Sequence, residues 1–212
     1  MKKLKAFNMV ELMIVAGLML TTVILCIPVI FNNSKEARIV SNWKNSYSEM
    51  KSNFGVFSIS DAEKVERICS TRHLDTQEKD IFQILSPYLN VDIDKDPNSL
   101  KHYHYKFKNG AQVSMQSKVF TRFFTYQENG NIVGFKWLTC ECSEKKPCAS
   151  VLFDMNGTKK PNRIGKDIFA IYIFKDRIEA FGSEMSNKEL TRNCNNSNGL
   201  TCSEYYLRGG KF

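Results

Sequence analysis

The sequence has few of the residue types and none of the motifs from which most enzyme active sites are built. Its 212 residues contain only 3 histidines, His73, His102 and His104. It has no Walker loop, no G-x-S-x-G elbow, no H-E-x-x-H pair and no dinucleotide-binding fingerprint. These absences indicate that the protein is not an enzyme, and they favour a structural or binding role.

Charge is missing from one long stretch near the start of the chain. From Leu12 to Phe31 there are 20 consecutive uncharged residues, and the next charge is Lys35. A helix of that length is about 30 Å long, the thickness of a bilayer core. The mean hydropathy of -0.33 excludes a polytopic membrane protein. The sequence therefore predicts one membrane-spanning segment followed by one domain of roughly 150 to 180 residues.

The residues that flank the uncharged run predict its orientation. Lys2, Lys3 and Lys5 precede the run and are expected to stay in the cytoplasm. A secretory signal peptide has the same order of features, but its apolar region is shorter and is followed by small residues at a cleavage site. Glu11 lies directly before the run, and a lone carboxylate costs about 2.5–3.5 kcal/mol at the bilayer centre. We therefore expect a partner that compensates its charge.

The N-terminal segment resembles that of type IV pilins and type II secretion pseudopilins. Residues 5–15, KAFNMVELMIV, are similar to the end of a prepilin leader and the start of the mature helix. The resemblance implies that a prepilin peptidase cuts between Ala6 and Phe7 and then N-methylates Phe7. Glu11 and Pro28 then match the family's glutamate and helix-kinking proline. Ala6 stands where the family usually has glycine.

Elementary electrostatics favours the roles that this resemblance implies. Cleavage creates an amino group on Phe7, and the Glu11 carboxylate of a neighbouring subunit can neutralise it inside a filament core or a bilayer. Pro28 removes one helical N–H group, so a bend or local melting is expected there. The alternative is a plain signal anchor in which Glu11 is an incidental interfacial residue.

Apolar residues continue at helical spacing beyond the uncharged run and predict one long helix. The spacings of three and four recur at Ile39, Val40, Trp43, Tyr47, Met50 and Phe54. Gly55 is the expected end of the helix, and the stripe needs a sheet to cover it. The expected organisation is a leader at 1–6, a transmembrane and assembly helix at 7–31, its amphipathic continuation at 32–55 and a globular head at 56–212.

The head is predicted to combine short helices with an antiparallel sheet. Residues 61–86 indicate short helical pieces ended by Pro87, and residues 90–99 indicate a loop. From Tyr103 the hydrophobic period changes to two, with strands expected at 103–107, 112–116, 119–126, 132–138, 151–153, 168–174 and 177–181. Turns are expected at 108–110 and 129–131. The expected fold class is therefore α+β, and the resemblance implies a pilin-like fold. Residues 199–202 and 207–211 resemble the closing strand and turn of such proteins.

Six of the seven cysteines are expected to form disulfides. Cys26 lies in the apolar run and is interpreted as a packing residue. The other six allow 15 connectivities: Cys69, Cys140, Cys142, Cys148, Cys194 and Cys202. Cys194–Cys202 is the favoured pair because it closes a short polar loop, whereas the partner of Cys69 stays open. Zinc, with His102 or His104, is the rival hypothesis, but the C-x2-C spacing of structural zinc sites is absent.

The loop at residues 154–167 is the one candidate ligand site. It resembles the D-x-N-G...P-N...G-x-D stretch of many bacterial pilin-like proteins. Asp154, Asn156 and Asp167 are a weak candidate for calcium ligands. No glutamate closes the loop, and four basic residues crowd it: Lys159, Lys160, Arg163 and Lys166. A structural turn, in which the side chains of Asp and Asn bind loop amides, is therefore favoured over calcium.

These observations predict a structural subunit, a minor pilin or a pseudopilin, that acts without a cofactor. The resemblance implies a single-pass protein of the bacterial inner membrane, with its head outside the cytoplasm. The implied partners are the prepilin peptidase and other pilin or pseudopilin subunits. One alternative is a competence-type pseudopilin whose basic head binds DNA. However, removal of three leader lysines lowers the net charge from +8 to +5, so nucleic acid is not the expected partner. A membrane-anchored adhesin or enzyme is the other alternative.

Overall fold

The computed structural model describes most of the chain. It describes the backbone of residues 9–71, 74–92, 100, 103–113, 123–127 and 129–211. Within these ranges, it leaves out the side chains of residues 23–33, 58–60, 71, 74–77, 92, 123 and 124. The chain divides into two compact units, one ending at Arg38 and the other comprising Ile39–Phe212. The second unit contains the sheet and both hydrophobic clusters.

The architecture is α+β, as expected, with one antiparallel sheet. The helices are α1 (Met9–Ser60), α2 (Ala62–Thr71), α3 (Leu74–Leu85), α4 (Asn187–Asn196) and α5 (Cys202–Leu207). The strands are β1 (Val91–Asp92), β2 (Phe123–Gln127), β3 (Ile132–Trp137), β4 (Ala149–Asp154), β5 (Ile168–Ile173) and β6 (Ile178–Ala180). They pair in the order β1-β2-β3-β4-β5-β6, so neighbours in sequence are neighbours in the sheet. A 3-10 turn at Ser86–Leu89 contains Pro87 and follows α3.

Helix α1 is long, as predicted, but it does not end at Gly55. It extends over 52 residues to Ser60. The buried stripe continues past the glycine, because Phe57 is only 6% exposed and its ring lies 5.2 Å from that of Phe54. This extra contact stabilises another helical turn, so the propensity of glycine to end a helix is overridden by packing.

Both faces of the central strands are covered. On one face, Val133, Phe153 and Phe169 are paired across β3, β4 and β5, and they belong to the same cluster as Trp43 of α1. On the other face, Leu152 and Ala170 belong to a second cluster, against which Tyr103 to Phe107 pack. All six residues of β4 are therefore buried, although antiparallel strands often expose one face.

The strands predicted at 103–107 and 112–116 are absent from the described residues of those segments. Lys106 instead forms isolated bridges with Gln112 and Arg163. The alternating aromatic residues pack on the second cluster through their side chains, which satisfies the period of two without a ladder of hydrogen bonds. The turns at 108–110 and 129–131 are present, and Gly110 and Gly130 have φ values of 88° and 86°.

Other boundaries differ from the expectation. Val91–Asp92 pairs with β2, although residues 90–99 were expected to form a loop; residues 93–99 lie outside the described chain. Strand β2 begins at Phe123, and residues 114–122 of the predicted strands also lie outside the described chain. The later strands β3 to β6 agree with their predicted positions within two residues.

The C-terminal segment is helical, so the expected closing strand at 199–202 is wrong. Helix α5 starts at Cys202, and α4 precedes it. Helix α4 begins with a complete capping box, in which Ser186 and Glu189 bind each other's backbone N–H groups. Side-chain capping of this kind stabilises a helix start by about 1 kcal/mol. The S-x-x-E pattern was visible in the sequence and indicates this helix.

Two glycines provide a matched test of packing near α5. Gly199 (φ 87°) approaches the backbone of Ile164, and a Cβ there would lie 2.7 Å from the Lys108 Cβ. Gly130 (φ 86°) has no atom within 4 Å of an added Cβ. Alanine at either position costs about 1–2 kcal/mol of backbone strain. We expect Gly199→Ala to lower the free energy of unfolding by roughly a further 1–3 kcal/mol through overpacking.

The measurement is urea unfolding of residues 39–212 followed by circular dichroism, with Gly130→Ala as the control. Equal losses for the two variants would show that the close approach at Gly199 does not constrain the fold.

Candidate functional site

Of the residues predicted for processing and assembly, Glu11 and Pro28 lie within α1. Ala6 and Phe7 are outside the described residues. Glu11 lies in the first turn of α1 and is exposed. The helix passes through Pro28 without interruption, so the expectation of local melting there is wrong. An i–4 hydrogen bond lost at proline need not end a long helix when the flanking turns are strongly helical.

The first turns of α1 expose a large apolar surface. Single exposed apolar residues are ordinary on proteins, whereas a contiguous set marks a surface that is covered by lipid or by another protein. The exposed fractions of the large side chains here lie between 44% for Val15 and 75% for Met9. The set consists of Met9, Val10, Leu12, Met13, Ile14, Val15, Leu18, Met19 and Leu20.

Among the residues whose side chains are described, no helix has a segment both long enough and apolar enough to cross a membrane.

The loop at 154–167 is held between two paired strands. Asp154 ends β4 and pairs with Ile168 at the start of β5, so the two ends of the loop meet. Asp154 is 2% exposed, and Asp167, one residue before β5, is 0% exposed. Hairpin geometry thus brings the candidate ligands Asp154, Asn156 and Asp167 together, as their sequence pattern suggested.

Asp154 is surrounded by hydrogen-bond donors. Its Oδ2 accepts from the Tyr103 hydroxyl at 2.5 Å, and its Oδ1 accepts from the Asn156 backbone N–H at 3.1 Å. Burial raises the pKa of Asp154 to about 8, and the nearby charge of Asp167 acts in the same direction. The hydrogen bond from Tyr103 acts against this rise. Burial and the charge of Asp154 also raise the pKa of Tyr103, so the phenol keeps its proton and remains a donor.

Asp167 is bound in the same way by the loop backbone. Its Oδ1 accepts from the Arg163 N–H at 2.6 Å, and its Oδ2 accepts from the Asn162 N–H at 2.8 Å. The Asn156 side-chain amide also donates to Oδ2, at 3.2 Å. Burial raises the pKa of Asp167, whereas these backbone donors lower it. All four carboxylate oxygens of the loop therefore accept hydrogen bonds, which favours the structural turn over a cation site.

Two further observations concern a metal ion at this loop, one against it and one in favour of it. Within the described residues, no cluster of three or more His, Cys, Asp or Glu side chains is arranged to hold a metal ion. The Oδ1 atoms of Asn156 and Asn162 are buried, however, and neither has a hydrogen-bond partner in the described part of the chain. A calcium ion at this loop would have to use these amide oxygens and displace donors from the carboxylates.

The six cysteines outside the apolar run form three disulfides. Cys194 pairs with Cys202, the pair expected from the sequence, and links α4 to α5. Cys69 of α2 pairs with Cys140, which follows β3, and Cys142 pairs with Cys148. Disulfide sulfurs are not thiolate ligands, so the zinc hypothesis loses its cysteines. Of its histidines, His104 is exposed and His102 lies outside the described residues.

Tyr103 is the residue of this loop site that sequence reasoning missed. It lies 51 positions before Asp154. Its place in an aromatic alternation predicted a strand residue, and nothing in the sequence indicates which carboxylate its hydroxyl binds. The contact arises because residues 103–107 cover the second face of the sheet.

The raised pKa of Asp154 predicts a pH dependence of stability. Its folded pKa of about 8 lies above the ordinary value of 3.8, so the folded state binds the proton more tightly than the unfolded state. This contribution to the free energy of unfolding is fully present below pH 4, is lost as the pH rises towards 8 and is constant above it. We expect Asp154→Asn to flatten the decline measured by urea unfolding across this window.

Asp176→Asn is the matched control, because Asp176 is an exposed carboxylate in the β5–β6 turn. Profiles of wild type and Asp154→Asn that run parallel from pH 4 to pH 8 would contradict the assigned pKa.

The hydrogen bonds that the carboxyl oxygens of Asp154 and Asp167 already accept also predict the response to calcium. We expect calorimetric titration of residues 39–212 with millimolar calcium to give no binding heat and no rise in melting temperature. Magnesium is the control for ionic strength. A calcium-specific rise of several degrees that Asn156→Ala abolishes would establish the cation site instead.

Comparison of the chain with family models, with curated proteins and with solved structures finds no match in any of the three. The function therefore has to be inferred from the residues and their geometry.

Proposed function

We propose that the protein is a structural, pilin-like or pseudopilin-like subunit that assembles into a filament through the first half of α1. The supporting observation is the contrast within this one helix. Its large apolar side chains from Met9 to Leu20 are exposed, whereas its later residues Trp43, Met50 and Phe54 are buried against the sheet. The later part of the helix thus belongs to the core of the head, and the described large apolar side chains of its first turns are exposed.

In this proposal, the apolar surface of α1 is shielded from water first by lipid and then by other subunits. Before assembly, the uncharged run from Leu12 to Phe31 lies in the bacterial inner membrane, whose core matches its length. After assembly, the apolar side chains pack against the equivalent helices of other subunits. Because both environments exclude water, the subunit can pass from one to the other without exposing its apolar surface.

Glu11 sets the position of the subunit in the filament. A carboxylate in this apolar surface is costly unless a cation neutralises it. The amino group created on Phe7 by the prepilin peptidase supplies that cation from a neighbouring subunit. Subunits are then held in the one relative position at which the pair forms, as buried polar groups fix register in other helical assemblies.

The disulfides support a head that lies outside the cytoplasm. All three lie within residues 39–212. Disulfides persist in the periplasm and outside the cell, whereas cytosolic thiols are kept reduced. This location agrees with a cytoplasmic leader that contains three lysines.

The proposal predicts that Glu11→Ala blocks incorporation into filaments. Breaking one partner of a buried ion pair costs about 3–5 kcal/mol, which corresponds to a loss of roughly a hundredfold or more. The measurement is the amount of the chain in filaments sheared from cells of its natural host. Glu36→Ala is the matched control, because Glu36 lies in the same helix beyond the uncharged run.

Protease resistance of the head in the same cells shows that the variant folds. Wild-type amounts of Glu11→Ala in the filaments would overturn the role of Glu11. N-terminal sequencing of the wild-type chain distinguishes the alternatives: methylated Phe7 supports the proposal, and a retained Met1 supports a plain membrane anchor.

A further inference from the structure

An apolar cavity lies between α2 and one end of the sheet, outside both sites described above. Its volume is about 520 Å³. Its walls come from five parts of the chain and include Phe57, Val65, Leu85, Trp137, Ile173 and Phe174. Four of these side chains, Phe57, Leu85, Ile173 and Phe174, are at most 8% exposed. Core residues of the second unit therefore form part of the cavity wall.

This volume is large for a protein of this size. Voids in protein interiors are seldom larger than one water molecule, whose share of liquid volume is about 30 Å³. Sites for small molecules occupy about 300–1,000 Å³ and have mainly hydrophobic and aromatic walls. The cavity is open to solvent at its rim, unlike an interior void, and it belongs to the second class in both size and lining.

Two disulfides lie in the wall of the cavity. Cys69–Cys140 joins the α2 wall to the segment after β3, and Cys142–Cys148 lies in the wall beside it. These covalent links restrict the positions of α2 and of residues 140–148 relative to each other. They restrict the rearrangement by which an ordinary packing defect would close.

The charged groups at the cavity are already paired with each other. Glu66 of α2 and Lys175 in the turn after β5 form an ion pair with an N···O distance of 2.9 Å. Glu141 is paired with Lys146 at 3.6 Å. All four side chains are more than half exposed, so they belong to the rim. Among the described residues that line the cavity, each charged side chain therefore already has an ion-pair partner, so a charged ligand would have to compete with that partner.

We propose that this cavity binds a small uncharged molecule with an alkyl or aromatic body, such as a long-chain alcohol. The apolar body replaces water against Val65, Trp137 and Ile173, and a neutral polar end lies at the rim near Glu66 and Lys175. This site is independent of the proposed assembly role, because all the described residues that line it belong to the second unit.

Trp137 provides a direct readout of occupancy. The chain has 2 tryptophans, and the other, Trp43, is 0% exposed and packed in the core. A fatty alcohol with a terminal bromine, a contact quencher, is titrated into the full chain in lipid nanodiscs, with empty nanodiscs as the reference. We expect saturable quenching of part of the tryptophan fluorescence.

A matched pair of substitutions tests the location. Val65→Phe adds volume inside the cavity, whereas Val56→Phe makes the same change at a side chain that is 59% exposed. We expect Val65→Phe to weaken quenching at least tenfold and Val56→Phe to leave it unchanged. The melting temperature of each variant reports whether it folds; if Val65→Phe does not fold, Ala62→Leu at another lining position replaces it.

The charge of the ligand is tested with the corresponding brominated fatty acid and with Lys175→Gln. We expect the alcohol to bind more tightly than the acid and Lys175→Gln to change alcohol binding less than twofold. Tighter binding of the acid that depends on Lys175 would overturn the uncharged class. Absence of saturable quenching, or quenching insensitive to the volume added at Val65, would overturn the site, as would self-association of the chain that Val65→Phe abolishes.

Discussion

Packing of α1 on the sheet, centred on Trp43, is the contact on which the rest of the second unit depends. The Trp43 ring stacks on that of Phe169 in β5, with 5.0 Å between the ring centroids. The Trp43 indole N–H donates to the carbonyl oxygen of Ser203 in α5 at 2.9 Å. The Ser203 hydroxyl in turn accepts from the Ala170 N–H at 2.8 Å. One side chain thus joins the long helix, a central strand and the last helix. Burial of such a ring contributes about 1.5–3 kcal/mol.

The sequence alone predicted the secondary structure correctly where a single hydrophobic periodicity determined it. The spacing from Ile39 to Phe54 predicted the buried stripe of α1, and apolar runs with turn residues predicted β3 to β6 and the α+β class. The loop at 154–167 was interpreted mainly as a structural turn, with calcium as the weaker alternative, for the same local reason. Its two strands are adjacent in sequence, so Asp154 and Asp167 had to meet once β4 and β5 paired.

The errors arise where distant contacts decide between local alternatives. Gly55 does not end α1, because Phe57 finds a place in the core. The alternation at 103–107 is satisfied by packing on a sheet face instead of by strand pairing. Because Tyr103 packs on that same face, its hydroxyl reaches Asp154. The helix α4 was missed for a different reason, since its capping pattern at Ser186 was present in the sequence and needed no distant contact.

The order of the disulfides along the chain has a consequence for export. The pairs are Cys69–Cys140, Cys142–Cys148 and Cys194–Cys202. The first cysteine of the head is thus bonded to the second, the third to the fourth and the fifth to the sixth. Chains acquire structure from the N-terminus as they are delivered. In an exported chain, an oxidant that joins cysteines in order of their emergence from the translocation channel would produce these bonds directly. For the proposed exported head, this order would let an oxidant form the three bonds without a later exchange of partners between cysteines.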